Sequence, residues 1–150
     1  GQVCDVSAPT PHPPGYRRLS QPFRWGEKLV MVGEFDVRPW GRWHVLDEGP
    51  GYKVKRLVVS PGQRLSYQTH RHRSEHWVVL SGTATCVLEG RTVLAVPGQV
   101  VDVAVGAAHR ITNMHSEELV IIEVQRGAYT GEDDIVRLED DYGRCDALVI

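Results

Sequence analysis

Residues 67–82 read YQTHRHRSEHWVVLSG, and the placing of these side chains decides the fold. Gln68, His70, His72, Glu75 and His76 crowd together, and an apolar run follows at once. In an extended strand, side chains two apart share a face. Gln68, His70 and His72 then project together. Past a short turn at Arg73-Ser74, a second strand begins. It carries Glu75, Trp77 and Val79 on one face and His76, Val78 and Leu80 on the other. Two antiparallel strands joined in this way bring Gln68, His70 and Glu75 around one point. That mixed nitrogen and oxygen set suits a divalent ion such as Zn, Mn, Fe, Co or Ni.

The rest of the chain has the same strand-like texture. From Lys28 onward, short apolar stretches recur between Gly, Pro, Asp and Ser: LVMVGEFDV (29–37), WHVLDEGPG (43–51), YKVKRLVVSPG (52–62), TATCVLEG (83–90), RTVLAVPG (91–98), VVDVAVG (100–106), HRITN (109–113) and ELVIIEVQRG (118–127). Their β-branched content and spacing of about 8–12 residues predict an all-β sandwich or barrel. LEGRTVL (88–94) sets Glu89-Gly90 at a tight hairpin turn. No long stretch has the 3.6-residue period of an amphipathic helix. The acidic end, GEDDIVRLEDDYGRCDALVI (131–150), has room for one short helix or turn. Residues 1–25 carry most of the prolines and read as an extended arm. Residues 26–150 read as one folded domain.

Bulk properties exclude several classes. A chain of 150 residues with 41% apolar content can bury one real core. A net charge of −2 gives no electrostatic case for nucleic acid or an anionic membrane. No apolar run approaches the ~18 residues of a membrane span, and the first residues lack the apolar segment of a signal peptide. Cys4, Cys86 and Cys145 are odd in number, far apart and without a CxxC. That argues against a disulfide framework or thiolate zinc site, and for a reducing, cytoplasmic compartment. Cys86 lies in an apolar strand pattern and reads as a small buried hydrophobe.

A fourth ligand comes from GQVVDVAVGAAHRITN (98–113), where His109 follows the small-residue turn Gly106-Ala107-Ala108. Together the two stretches resemble the motifs of the cupin superfamily. Gly62, Gln68-Thr69-His70, Glu75 and Gly82 follow the first motif, with Gln68 in the place of its first histidine. Gly98, Gly106, His109 and Asn113 follow the second, with Ala104 where proline is expected. Longer words narrow the match. Arg38-Pro39-Trp40-Gly41, Tyr52-Lys53-Val54-Lys55-Arg56, Glu75-His76-Trp77 and Gly131-Glu132-Asp133-Asp134 are similar to the type II phosphomannose isomerase domain. In bacteria that domain is often fused behind a GDP-mannose pyrophosphorylase. No Gly-rich phosphate loop precedes the motifs here, so nucleotide transfer is not expected of these residues.

The resemblance implies a single small cupin barrel, a double-stranded jelly roll. In it Gln68, His70, Glu75 and His109 hold the divalent metal, with His72 as an alternative to Gln68. It implies a small-molecule substrate, a sugar phosphate, with mannose 6-phosphate and fructose 6-phosphate interconverted, and it implies a homodimer. Glu123, Lys55 and His72 are candidates for the base that moves the proton, and the sequence does not decide among them. A phosphate needs a cation. Arg56 and Arg110 are the candidates, although strand parity turns Arg110 away from the metal. The tail acids are expected to hold the tail against the barrel through Arg137 or Arg144. The same pocket also fits an iron-dependent oxygenase or other tailoring enzyme, or a non-catalytic binding module. Iron dependence and oxygen consumption would separate the oxygenase from an isomerase. A metal site filled by protein ligands alone would mark the binding module.

Overall fold

The computed structural model describes Gln2–Val3, Phe23–Trp25, Lys28–Val30 and residues 33–145. Most of the arm expected over residues 1–25 therefore lies outside the described residues. All the regular elements described are strands: β1 (Gln2–Val3), β2 (Phe23–Trp25), β3 (Lys28–Val30), β4 (Phe35–Arg38), β5 (Gly41–Gly49), β6 (Tyr52–Val59), β7 (Tyr67–Thr69), β8 (Ser74–Ser81), β9 (Ala84–Leu88), β10 (Arg91–Ala95), β11 (Val100–Val103), β12 (His109–Thr112), β13 (Leu119–Arg126) and β14 (Val136–Asp140). They form two six-stranded antiparallel sheets and one small pair, β2–β3. The sheet orders are β1-β14-β7-β12-β9-β10 and β11-β8-β13-β6-β5-β4. No helix among the described residues is long and apolar enough to cross a membrane.

Alternation in β6, β8 and β13 turns one face of the second sheet inward, and the register stacks that face in rows. Gln125 lies opposite Glu75 on one side and Lys53 on the other. Glu123 lies opposite Trp77 and Lys55. Ile121 lies opposite Val79 and Leu57. The inner face thus grades from a polar row, through a mixed row, to an apolar row. The core closes with Trp43 level with the apolar row, Val45 level with the mixed row and Val59 beyond them on this sheet, and with Ala84, Cys86 and Ile111 from the other. Burial pushes the Cys86 thiol up to about 12, so it remains a protonated packing group. The polar end of the interior is where a site can form.

The Glu89-Gly90 turn is where the sequence puts it. Leu88 pairs with Arg91 across a two-residue loop in which Glu89 and Gly90 have φ of 46° and 76°. Two consecutive positive φ values match the right-handed twist of the hairpin. The acidic tail holds the expected turn at Glu132–Asp133, where the Asp134 N–H donates to the Gly131 carbonyl at 3.2 Å, and then adds strand β14, paired with β7 and β1. Its alternation is short and acidic, and its partners are distant in sequence, so local pattern does not reveal it. The argument against a disulfide is corrected, because Cys145 is disulfide-bonded. Sequence spacing could not relate the chain's two ends, but the β1–β14 pairing sets them side by side.

Candidate metal centre

Strand β7 ends at Thr69, and residues 70–73 turn before β8 starts. The turn breaks the strand alternation. His70 points inward and is buried, whereas His72 is exposed and meets the Tyr129 ring edge-on. Glu75 enters from β8 and His109 from the start of β12, in the opposite sheet. One ligand atom from each of His70, Glu75 and His109 lies within 4.8 Å of the others. His70 Nε2 is 3.0 Å from Glu75 Oε1 and 3.1 Å from His109 Nε2, and His109 Nε2 is 3.5 Å from Glu75 Oε2.

The donor set fits a divalent ion. His70 Nδ1 is 2.6 Å from the carbonyl oxygen of Asp134, and His109 Nδ1 is 2.8 Å from that of Ala107. A carbonyl only accepts, so each Nδ1 carries the hydrogen. The two Nε2 atoms and the Glu75 oxygens then face one another as acceptors, and a cation between them relieves that crowding. Such carbonyl bonds to the far ring nitrogen fix the tautomer a metal-bound histidine needs. Burial pushes His109 below the usual histidine range, against the opposing pull of Glu75, which favours the neutral, ligating ring. Burial would raise the Glu75 carboxyl, but His70, Arg73 and His109 outweigh it and hold Glu75 well below the usual carboxylate range.

Several neighbours position this triad. Arg73 Nε donates to Glu75 Oε1 at 3.0 Å, its Nη2 to His70 Nε2 at 3.3 Å and its Nη1 to the Gly131 carbonyl at 3.2 Å. Trp77 Nε1 donates to Glu75 Oε2 at 3.0 Å and to Glu123 Oε2 at 3.2 Å. The Asp134 carboxylate accepts from the backbone N–H groups of Arg71 and His72, both at 2.9 Å, and so shapes the His70 turn. Gly127 brings the 127–135 loop against that turn. A Cβ there would lie 2.0 Å from the His72 carbonyl oxygen, so the approach requires glycine.

Beside the triad opens a cleft of about 570 Å³, counting its mouth. Glu75, Glu123, Gln125, Lys55 and Gln68 line it, together with Arg38, Arg137 and Arg144 from other parts of the chain. Gln68 pairs with His109 in the β7–β12 ladder, and its Oε1 accepts from Ser66 Oγ at 2.8 Å. Lys55 is buried over the Trp43 ring, 3.9 Å from its centroid, and bonds Glu132. Burial pushes the Lys55 ammonium down, against the pull of Glu132 and Glu123. Burial opposes charge on Glu132, yet Lys55, Lys53 and Arg73 bring it to about 2. Burial first, and then the charge of Glu75, push Glu123 up to about 8.

Of the residues singled out in the sequence, His70, Glu75 and His109 come together, and Gln68, Glu123 and Lys55 line the adjoining cleft. His72, Arg56 and Arg110 do not line it. Arg56 is exposed on the outer face of β6. Arg110 turns the other way, as its parity foretold, and donates to the Leu65 carbonyl at 2.9 Å and to Glu139 Oε1 at 3.0 Å. Asp140 holds Arg144 within the tail itself, whereas the tail acids meet the barrel through Glu132 on Lys55, Glu139 on Arg110 and Asp141 on Arg64. Arg73, Asp134 and Gln125 went unread as site residues. The first two sit within quoted motif words, which was the available signal. Gln125 had only the alternation of IIEVQ.

The sequence profile of the family described as mannose-6-phosphate isomerase C-terminal matches residues 26–140. The chain is 49% identical over 107 residues to the alginate biosynthesis protein AlgA of Pseudomonas aeruginosa, covering 71% of this chain and 22% of that protein. It is 44% identical over 108 residues to a mannose-1-phosphate guanylyltransferase of Klebsiella pneumoniae, covering 72% and 23%. The chain thus spans less than a quarter of the length of these relatives. Among solved structures, the capsular polysaccharide assembling protein CapF of Staphylococcus aureus superposes with a TM-score of 0.61 at 22% identity, covering 71% of this chain and 34% of that one. A double-stranded β-helix protein of Klebsiella pneumoniae gives a TM-score of 0.57 at 22% identity, covering 65% and 83%. These two likenesses bear on fold, and they agree with the two facing sheets of a cupin barrel. With its sheets, its motif residues and this match in accord, the chain belongs to the mannose-6-phosphate isomerase C-terminal family.

Proposed function

We propose that this cupin domain is a metal-dependent aldose–ketose isomerase acting on mannose 6-phosphate and fructose 6-phosphate. The observation that carries the reading is the buried His70–Glu75–His109 triad, whose Glu75 lines a cleft with acid, base and cation side chains in its wall. A divalent ion held by the triad, with Gln68 at its side, would supply Lewis-acid polarisation of the sugar's oxygens. Glu123 is the group we assign to the proton. Among the cleft carboxylates, Glu75 belongs to the triad and Glu132 is bound by Lys55. Glu123 takes neutral donors, Trp77 and Gln125, and faces the cleft. With its carboxyl pushed up to about 8, Glu123 is partly ionised at neutral pH and more so above it; in that form it removes the proton from the carbon next to the carbonyl and returns it to the neighbouring carbon. Lys55 holds positive charge nearby, and the hydrophobic floor keeps bulk water out.

The phosphate needs cations. In this reading Arg38, Arg137 and Arg144 supply them, because they line the same cleft as Glu75 of the triad. Asp36 and Asp140 anchor two of the three, which pre-orients the guanidinium planes. The test is metal content of the purified chain together with a coupled assay for mannose 6-phosphate conversion, before and after chelation. Conversion that the chelator abolishes and zinc, manganese or cobalt restores supports the reading. A metal-loaded chain that converts no sugar phosphate overturns it, and oxygen consumption is then the next measurement.

A further inference from the structure

Gln125 is 1% exposed and sits in the cleft wall between Glu75 and Lys53. Its Nε2 donates to Glu123 Oε1 at 2.7 Å. Its Oε1 has no hydrogen-bond partner among the described residues. A buried polar atom left unpaired costs free energy, so native sites rarely keep one without a purpose. Here the unpaired acceptor is itself buried, on a side chain of the cleft wall, so a ligand group that meets it must press into that wall; the neighbouring Glu123 fixes the amide from its other end. An amide oxygen accepts from charged and neutral donors alike; the nearby cations Lys53, Lys55 and Arg73 are already held by Thr130, Glu132 and Gly131, and a hydroxyl is the donor a polyol brings.

We propose that Gln125 is a specificity-determining residue that accepts a hydrogen bond from a substrate hydroxyl, which restricts the cleft to polyhydroxylated ligands. This inference rests on the sugar-phosphate reading of the cleft, and it adds a residue that reads the carbon chain rather than the phosphate. Its physical basis is the asymmetry of buried polar sites. A site built to bond a hydroxyl rejects the analogue that lacks it, because the partner is then left unpaired. Inorganic phosphate has at most two hydroxyls and is held chiefly by cations, so it should depend far less on this acceptor.

The test uses binding, so that it does not depend on turnover. Mannitol 6-phosphate, an open-chain polyol that cannot be isomerised, and inorganic phosphate are titrated calorimetrically into the metal-loaded chain and into Gln125→Met and Gln125→Leu. The expected result is that both variants bind mannitol 6-phosphate about tenfold to a hundredfold more weakly, with phosphate binding unchanged. A ligand-side arm keeps the question open to decision if both variants fold poorly. Among the 2-, 3- and 4-deoxy forms of mannose 6-phosphate, one should lose a similar factor in the wild-type chain. In a folded variant, that form should lose nothing further, the signature of a coupled pair. Equal weakening for the polyol and for phosphate, no weakening at all, no sensitive deoxy form, or no binding of the polyol phosphate to the wild-type chain would each overturn the inference. A chain that shows the Gln125 pattern yet converts no sugar phosphate refutes the isomerase reading alone.

Discussion

The two triad histidines are fixed by what lies behind them as much as by what they face. His109 leans on the Ala107 carbonyl within its own turn. His70 leans on the Asp134 carbonyl, from a loop more than sixty residues away. The Asp134 side chain holds the His70 turn as well, through two backbone N–H groups. This separates two kinds of loss. His109→Ala removes a donor atom and should weaken zinc or manganese binding by well over a hundredfold. Asp134→Ala keeps every donor but loosens the His70 turn, and a loss of about tenfold is expected, the usual size for a supporting group. Competition with a chromophoric chelator measures both. Equal affinity in Asp134→Ala and wild type would show that the turn holds without its carboxylate. At this scale, Glu75 and His109 were legible because motif spacing fixes them. His72 was misplaced by strand parity, since parity fails once residues 70–73 leave the strand. Asp134 was legible only as part of a motif word, because its carbonyl and carboxylate act on a turn more than sixty residues away.

At the scale of elements, the 127–135 loop acts as a strap across the polar end of the barrel. Lys53 Nζ donates to the Thr130 carbonyl at 2.7 Å, Arg73 reaches the Gly131 carbonyl, and Glu132 is inserted between Lys55 and Lys53. Glu132 is the charged pin of this strap, and its titration can be followed. Its carboxyl sits at about 2 in the folded chain against an ordinary 4.5. A carboxyl lowered on folding adds stability above its unfolded value and loses it as pH falls toward the folded one. The contribution of Glu132 should therefore be present at neutral pH and disappear between about 4.5 and about 2. Glu132→Gln leaves Lys55 buried without its counter-charge. It should cost about 3 kcal/mol at pH 7 and flatten that part of the acid limb, as read from urea midpoints across pH. An acid limb unchanged by the substitution would assign the acid sensitivity to other carboxylates. The strands behind the strap were largely readable, since β5, β6, β8 and β13 follow clear alternation. The strap and β14 were not, because GEDDIVRLEDD looks like a solvated acidic run until its partners Lys53, Lys55, Arg73 and β7 are in place.

Over the whole molecule, the interior divides into an apolar floor that holds the fold and a polar mouth that holds the chemistry. The two should respond to different changes. Ile121 is fully buried in the apolar row, and Ile121→Ala should destabilise the chain by about 2–4 kcal/mol while the folded fraction keeps its metal affinity. The mouth should show the converse. Three acceptors from both sheets converge there, so a divalent ion bound by His70, Glu75 and His109 ties β8 to β12 and to the β7–β8 turn. An ion that binds the folded chain and not the unfolded one stabilises it by mass action, about 2.7 kcal/mol when the free ion is a hundredfold above its dissociation constant. Zinc or manganese should therefore raise the unfolding midpoint of the wild-type chain and of Ile121→Ala by similar amounts. The gain should vanish in His70→Ala and His109→Ala, and it should fade in acid, where protons compete for the same nitrogens. Thermal scans of the three variants and the wild type, each with chelator and with added ion, check this directly. A midpoint in the wild-type chain that ignores the ion would mean that the triad holds a shared proton in place of a metal, and the isomerase reading would lose its cofactor.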